Sequence, residues 1–111
     1  MDCIFCKIAS REISSNIVFE NEKVLAFRDI NPQAPVHIVV IPKTHIDTLN
    51  DVKDFGIYVE IFKAINEIVK KEGIDKNGYR VVANCNKDGG QTVFHLHFHL
   101  LGGRYMDWPP G

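Results

Sequence analysis

The sequence predicts an α+β domain: a mostly antiparallel sheet of five strands with one main helix packed on it. Three observations predict it. Short segments rich in β-branched and aromatic residues are separated by turn residues, a single segment of helical period interrupts them, and 111 residues suit one domain, spanning 1–111, with one core.

Ile17-Val18-Phe19, within Ile13 to Glu20, is a short strand, and Val24 to Asp29 reads as its hairpin partner across the turn residues Glu20-Asn21-Glu22-Lys23. Asn31-Pro32 and Ala34-Pro35 stop that partner, because proline cannot donate to a ladder. Val36-His37-Ile38-Val39-Val40-Ile41 is nearly continuous β-branched sequence, the pattern of a central buried strand ended by Pro42. From Asp51 to Glu72 the period changes. Phe55, Tyr58, Val59, Phe62, Ile65 and Val69 predict the sheet-facing side of a helix, with Asn50 or Asp51 at its start and Gly73 as its left-handed stop. Gly78 to Asn84 is a further strand, and Asn86 to Gly90 a flexible turn.

The last strand carries the chemistry. In Gly89-Gly90-Gln91-Thr92-Val93-Phe94-His95-Leu96-His97-Phe98-His99-Leu100-Leu101, histidines alternate with large apolar residues. A period of two places Phe94, Leu96, Phe98 and Leu100 in the core and His95, His97 and His99 on the opposite surface. The outer imidazoles start ~13 Å apart at the backbone, too far to share one small group. Two neighbours therefore act together while the third does something else. The glycines before them allow close approach of an anion, and Gln91 and Thr92 add side-chain donors.

Bulk composition excludes other classes. Apolar residues make up 45% of the chain and charged residues 24%, with a formal net charge of −1. Such a surface has no electrostatic footprint for nucleic acid polymers or anionic membranes. No apolar run approaches a ~20-residue membrane span, and no basic-then-apolar leader opens the chain. Three cysteines, an odd number, argue for a reducing compartment, and the expected location is cytoplasmic. Cys3-Ile4-Phe5-Cys6 leaves three readings open: half a zinc site, a redox pair, or two buried thiols. Clustered carboxylates for magnesium are missing, and no redox cofactor is expected.

The alternation of histidine with apolar residues resembles the signature of the histidine-triad (HIT) nucleotide-binding proteins. The resemblance runs from Ile4-Phe5 through Asp29-Ile30-Asn31-Pro32-Gln33-Ala34-Pro35 and Ile41-Pro42-Lys43 to Trp108-Pro109-Pro110-Gly111. That C-terminal segment is similar to the Hint branch, the nucleoside phosphoramidases. The resemblance implies a HIT-like fold whose sheet is extended across a homodimer. It implies hydrolysis of purine nucleoside 5′-phosphoramidates through a nucleotidyl-histidine, with His97 as nucleophile and a backbone carbonyl holding its other nitrogen. His99 would donate to the phosphate and protonate the departing amine, His95 would link the strand to His37 or to zinc, and His37 would orient the imidazoles. Ile4, Phe5, Ile8, Phe27 and Ile30 would sandwich the purine. Asp29 would accept the ribose hydroxyls, and Asn84, Gly90, Gln91 and Thr92 would join His97 and His99 around the phosphate. Members that keep both N-terminal cysteines imply a structural zinc on Cys3, Cys6, His45 and His95. The C-terminal segment would lie near the active site across the dimer, where Tyr105 and Asp107 depart from the closest pattern.

Alternatives of other kinds are a diadenosine-polyphosphate or other nucleotidyl hydrolase, a zinc-dependent hydrolase, and a nucleotide-binding adaptor with incidental hydrolysis.

Overall fold

The computed structural model describes residues 2–111. The elements run α1 (Ile4–Ala9), β1 (Ile17–Glu20), β2 (Val24–Arg28), β3 (Val36–Pro42), a 3-10 turn (Leu49–Asp51), α2 (Gly56–Lys71), β4 (Tyr79–Val82), α3 (Asn86–Gly89) and β5 (Phe98–Gly102). All pairings are antiparallel, in the order β1-β2-β3-β5-β4. The expected five-stranded α+β architecture is the one observed.

Local chemistry explains the frame. Asn21 Oδ1 accepts from the Lys23 and Val24 amides and so closes the β1–β2 turn. β3 lies in the middle of the sheet, and Ile38 to Pro42 are almost wholly buried. Its even-numbered residues Ile38 and Val40 join Val24, Ala26, Phe98 and Leu100 beneath Ile61, Ala64, Ile65 and Ile68 of α2. Its odd-numbered residues face the other way, where Val39 and Ile41 pack with Leu25, Phe27 and Ile8 of α1. Each fully buried Ile or Leu contributes about 1.5–3 kcal/mol relative to exposure. His37 and His99 share this second face, since Val39 pairs with His99 and His37 with Leu101. Helix α2 and the histidines therefore occupy opposite sides of the sheet.

Four expectations are corrected. Phe94 is not in the core; it is 48% exposed, because β5 begins only at Phe98 and the chain before it bends. His95, Leu96, His97 and Phe98 are buried consecutively there, as structure covers both sides of the segment. The main helix starts at Gly56, with Asp54 Oδ1 accepting its amide, while Asp51 instead closes a capping box with Thr48 on the 3-10 turn. Phe55 and Val59 do not face the sheet, and Phe62 meets it only through an edge contact with Phe98 at 5.6 Å; the three form a second, exposed stripe at helical spacing. Asn86–Gly89 is a helical turn stopped by left-handed Gly90 (φ 78°), and Gly73 (φ 72°) follows the end of α2 as expected.

Helix α1 is the element the pattern did not show. Six residues are too few for a period to emerge, and its N-cap is the Cys3 thiol, whose Sγ accepts from the Cys6 amide at 3.4 Å.

Candidate active site and metal cluster

The five histidines fall into two groups that meet on one short segment. His95 Nε2–H donates to the Pro42 carbonyl at 2.8 Å, which leaves Nδ1 as a lone pair. That lone pair faces Cys3 Sγ at 3.3 Å and Cys6 Sγ at 3.6 Å. His45 repeats the arrangement: Nε2–H donates to Asp47 at 2.6 Å, and Nδ1 faces Cys6 Sγ at 3.3 Å. The four ligand atoms lie within 4.8 Å of one another. Tetrahedral zinc with bonds of about 2.3 Å to sulfur and 2.0 Å to nitrogen needs edges of about 3.5 Å. Both imidazoles already hold the tautomer a metal requires, and Cys3, Cys6, His45 and His95 form a cluster that could hold an ion. Burial, with the neighbouring Cys3 thiol, pushes the Cys6 thiol above its ordinary value. Bound metal would reverse that preference by stabilising thiolate.

The other group gathers His37, His97 and His99 and is the candidate active site. His97 Nδ1–H donates to the His95 carbonyl at 2.7 Å, so its Nε2 carries the lone pair. His37 Nδ1 accepts from the Gln33 amide at 3.0 Å; its Nε2–H donates to His99 Nδ1 at 2.9 Å. His99 therefore presents Nε2–H. No buried side-chain nitrogen or oxygen among the described residues lacks a partner, so the unbonded Nε2 atoms of His97 and His99 reach solvent. One is a bare nucleophilic nitrogen and the other a donor, on rings whose centroids are 5.0 Å apart.

Burial depresses the pKa of all of these rings. His37, His95 and His97 are lowered chiefly by desolvation, partly offset by Asp29 at His37 and by a backbone carbonyl at each of His95 and His97. His99 is lowered to about 4, by burial and then by His97 and His37. Lowered below the ordinary value, the His97 and His99 imidazoles are neutral at pH 7.

Of the two links expected for His95, the one to the cysteine cluster is the arrangement seen and the one to His37 is not: His37 bonds His99, because β3–β5 register places those two on one face while His95 lies beyond the ladder. Asp29 stands 3.5 Å from His37 Nε2, and its Oδ1 accepts from the Asn31 amide. Phe5 packs edge-on against Phe27 at 5.4 Å and His97 at 5.1 Å, so a residue between the two cysteines covers one side of the His97 ring. Ile8 and Phe27 are buried with it, Ile4 is half-exposed, and Ile30 is 98% exposed. Gln91 is spent on structure: Oε1 accepts from the Asn86 amide, and Nε2 donates to the Asp47 and Val93 carbonyls. Asn84 is half-buried, while Gly90 and Thr92 are exposed. Pro42, Asp47 and Gln33 were missed as orienting groups: Pro42 and Gln33 act through backbone atoms, and Asp47 through a side-chain bond to His45 two residues before it.

The C-terminal segment stays largely outside. Tyr105 and Trp108 are exposed, and Arg80 of β4 holds the segment by donating to the Asp107 carbonyl and lying 5.8 Å from the Trp108 ring centroid.

Residues 10–106 match the model of the HIT domain, and the chain belongs to the histidine-triad (HIT) family. Among particular relatives, a purine nucleoside phosphoramidase of Escherichia coli is 48% identical, over 93% of this chain and 88% of that protein. A 14 kDa zinc-binding protein of Zea mays is 50% identical, over 97% of this chain and 87% of that one. The crystal structure of a HIT family hydrolase from Legionella pneumophila superposes with a TM-score of 0.96 at 52% identity, covering 99% of this chain and 100% of that chain.

Proposed function

We propose that this protein hydrolyses purine nucleoside 5′-phosphoramidates through a nucleotidyl-histidine. The observation that carries the reading is the His97 ring: Nδ1–H anchored on the His95 carbonyl, Nε2 unprotonated and open. Nε2 attacks the α-phosphorus, the phosphorus–nitrogen bond breaks, and the amine leaves with a solvent proton. Water then attacks phosphorus, releasing the nucleoside monophosphate and regenerating the neutral imidazole. His99, held neutral at pH 7, serves as a donor to a phosphoryl oxygen instead of as the acid for the amine. His37 fixes the His99 tautomer, and donors already in place need no reorganisation during the displacement. Asp29 stands beside this pair, where a carboxylate suits ribose hydroxyls. The named activity of the Escherichia coli relative supports this substrate class.

The metal is assigned as zinc, on the sulfur and imidazole donor set and the naming of the plant relative. Cys3, Cys6, His45 and His95 would complete four-coordination, so its chemistry there is structural. A catalytic zinc on His95 and His97 is disfavoured by the bonds those rings make: His95 Nδ1 points to the cysteines, and His97 Nδ1 is spent on a carbonyl.

A homodimer is supported by two features: the exposed Phe55–Val59–Phe62 stripe, and β4, which among the described residues pairs only with β5 and so is an open sheet edge. Phe62→Asp should shift the sedimentation coefficient to that of a monomer.

The test of the reaction is intact-protein mass spectrometry after rapid acid-free quench with adenosine 5′-phosphoramidate. An adduct of one adenylyl group in the wild type and none in His97→Ala is the expected result. An adduct retained in His97→Ala would overturn the nucleophile assignment.

A further inference from the structure

We propose that Arg104 is a positioning residue for the reaction, acting on the His37–His99 pair through the backbone of Gln33. The inference rests on the reaction proposed above and adds a residue that touches neither substrate nor reacting atoms.

The chain of bonds begins outside the sheet. Arg104 follows β5, and its Nε and Nη2 both donate to the Gln33 carbonyl, at 3.2 and 2.9 Å. Its Nη1 donates to the Tyr105 carbonyl at 3.0 Å, which holds the planar fork from its other end. Gln33 is an exposed loop residue between β2 and β3. Its amide is the donor that makes His37 Nδ1 an acceptor, leaving the proton on Nε2 for His99. Without that donor nothing on the Nδ1 side selects between the two neutral tautomers of His37. If Nδ1 carried the proton, His37 Nε2 and His99 Nδ1 would meet lone pair to lone pair. His99 would then reverse, and the donor aimed at phosphate would be lost.

The same loop carries Asp29 at its start. Asn31 donates to Asp29 Oδ1, and Gln33 Nε2 donates to the Asn31 carbonyl, so residues 29–33 are one hydrogen-bonded unit with Arg104 as its outside fastening. Close passage of the two segments depends on Gly103. At φ +89° it adopts a conformation that side chains rarely allow, and a Cβ there would come within 2.9 Å of Pro35 Cβ. The glycine lets Arg104 reach across to the loop.

The experiment compares wild type, Arg104→Ala and Arg104→Lys. Long-range nitrogen–proton NMR of the imidazoles should show one His37 tautomer, protonated on Nε2, in the wild type. Arg104→Ala should show both forms in exchange. With adenosine 5′-phosphoramidate, kcat should fall about tenfold in Arg104→Ala, with KM changed less than twofold. Arg104→Lys, with the charge but not the two-pronged fork, should recover only part of kcat. Unchanged His37 shifts in Arg104→Ala would overturn the proposal, as would a changed tautomer with an unchanged kcat. Full recovery by lysine would overturn the fork in favour of simple charge. If Arg104→Ala fails to fold, the lysine variant reads the same two quantities. Wild-type protein without turnover would refute the reaction, while the NMR comparison would still decide whether Arg104 sets the tautomer.

Discussion

The Cys/His cluster and the candidate active site are built from the same part, an imidazole with one nitrogen anchored, and they differ in what the other nitrogen meets. In the cluster, the Nδ1 atoms of His45 and His95 converge on two sulfurs, which closes the site. In the candidate active site, the Nε2 atoms of His97 and His99 have no partner among the described residues and reach solvent. A convergent set of lone pairs binds a cation; an open lone pair beside an open N–H suits an electrophilic phosphoryl group with its oxygens. Residue type does not distinguish the two groups. The orientation imposed by each anchor does. Asp29, His37 and His99 make the point again: their ligand atoms also lie within 4.8 Å. There the Gln33 amide puts the His37 proton on the very nitrogen a metal would need.

The largest effect expected from breaking this division is at His97. His97→Ala should lower kcat/KM by a factor of about 10⁴ or more, with mononucleotide affinity within a few-fold by calorimetry. Substantial residual turnover would mean that another group attacks phosphorus.

Removing the sulfurs tests the closed side. Cys3→Ser with Cys6→Ser should abolish metal content and cost about 3 kcal/mol of stability, as expected for a ligand present at several hundred times its Kd. Turnover should stay within about tenfold of wild type, since His97 keeps its carbonyl anchor. Complete loss of activity in a folded, metal-free protein would show that the cluster is more than structural.

The open side should register in acid. With a folded pKa of about 4 at His99, the unfolded chain binds more protons there between pH 6.5 and 4. The His99 contribution to stability therefore falls as pH falls through that window, by at most about 1.4 kcal/mol per unit, and levels off below it. Comparing the metal-free double-serine protein with and without His99→Asn isolates this slope by thermal melts. The Asn variant should show the shallower decline, and equal slopes would place the titration elsewhere.

The smallest effect is at Ile30. With 98% of its surface exposed, Ile30→Ala should change stability by less than about 0.5 kcal/mol. A several-fold loss of purine mononucleotide affinity would assign it to the base, and unchanged affinity would remove it from the site.

Much of the frame was legible because strong local signals agreed with the fold. The hairpin turn at Asn21, the β-branched run of β3 and the left-handed Gly73 each follow from chemistry within a few residues. Phe55 and Val59 misled because periodicity reports that a residue lies on an apolar stripe, not which of two stripes meets the sheet. Phe94 misled because alternation was continued past the point where β5 loses its partner. Helix α1 was too short to show a period, although both its cysteines were visible as a pair.

By itself the sequence determined the order of the strands and the main helix and the identity of the chemistry-bearing residues: three alternating histidines, a histidine in a buried strand, and a cysteine pair. Those properties are local, set by side-chain period and residue type. Tertiary structure decided which histidine serves which group, since the tautomers of His37, His95 and His97 are each chosen by a backbone atom that the fold brings to the ring. Pro42 turns His95 toward the sulfurs, the His95 carbonyl leaves His97 bare, and Gln33 sends the His37 proton to His99. A proton on an imidazole has two places to go, and only the packed fold supplies the bond that chooses between them.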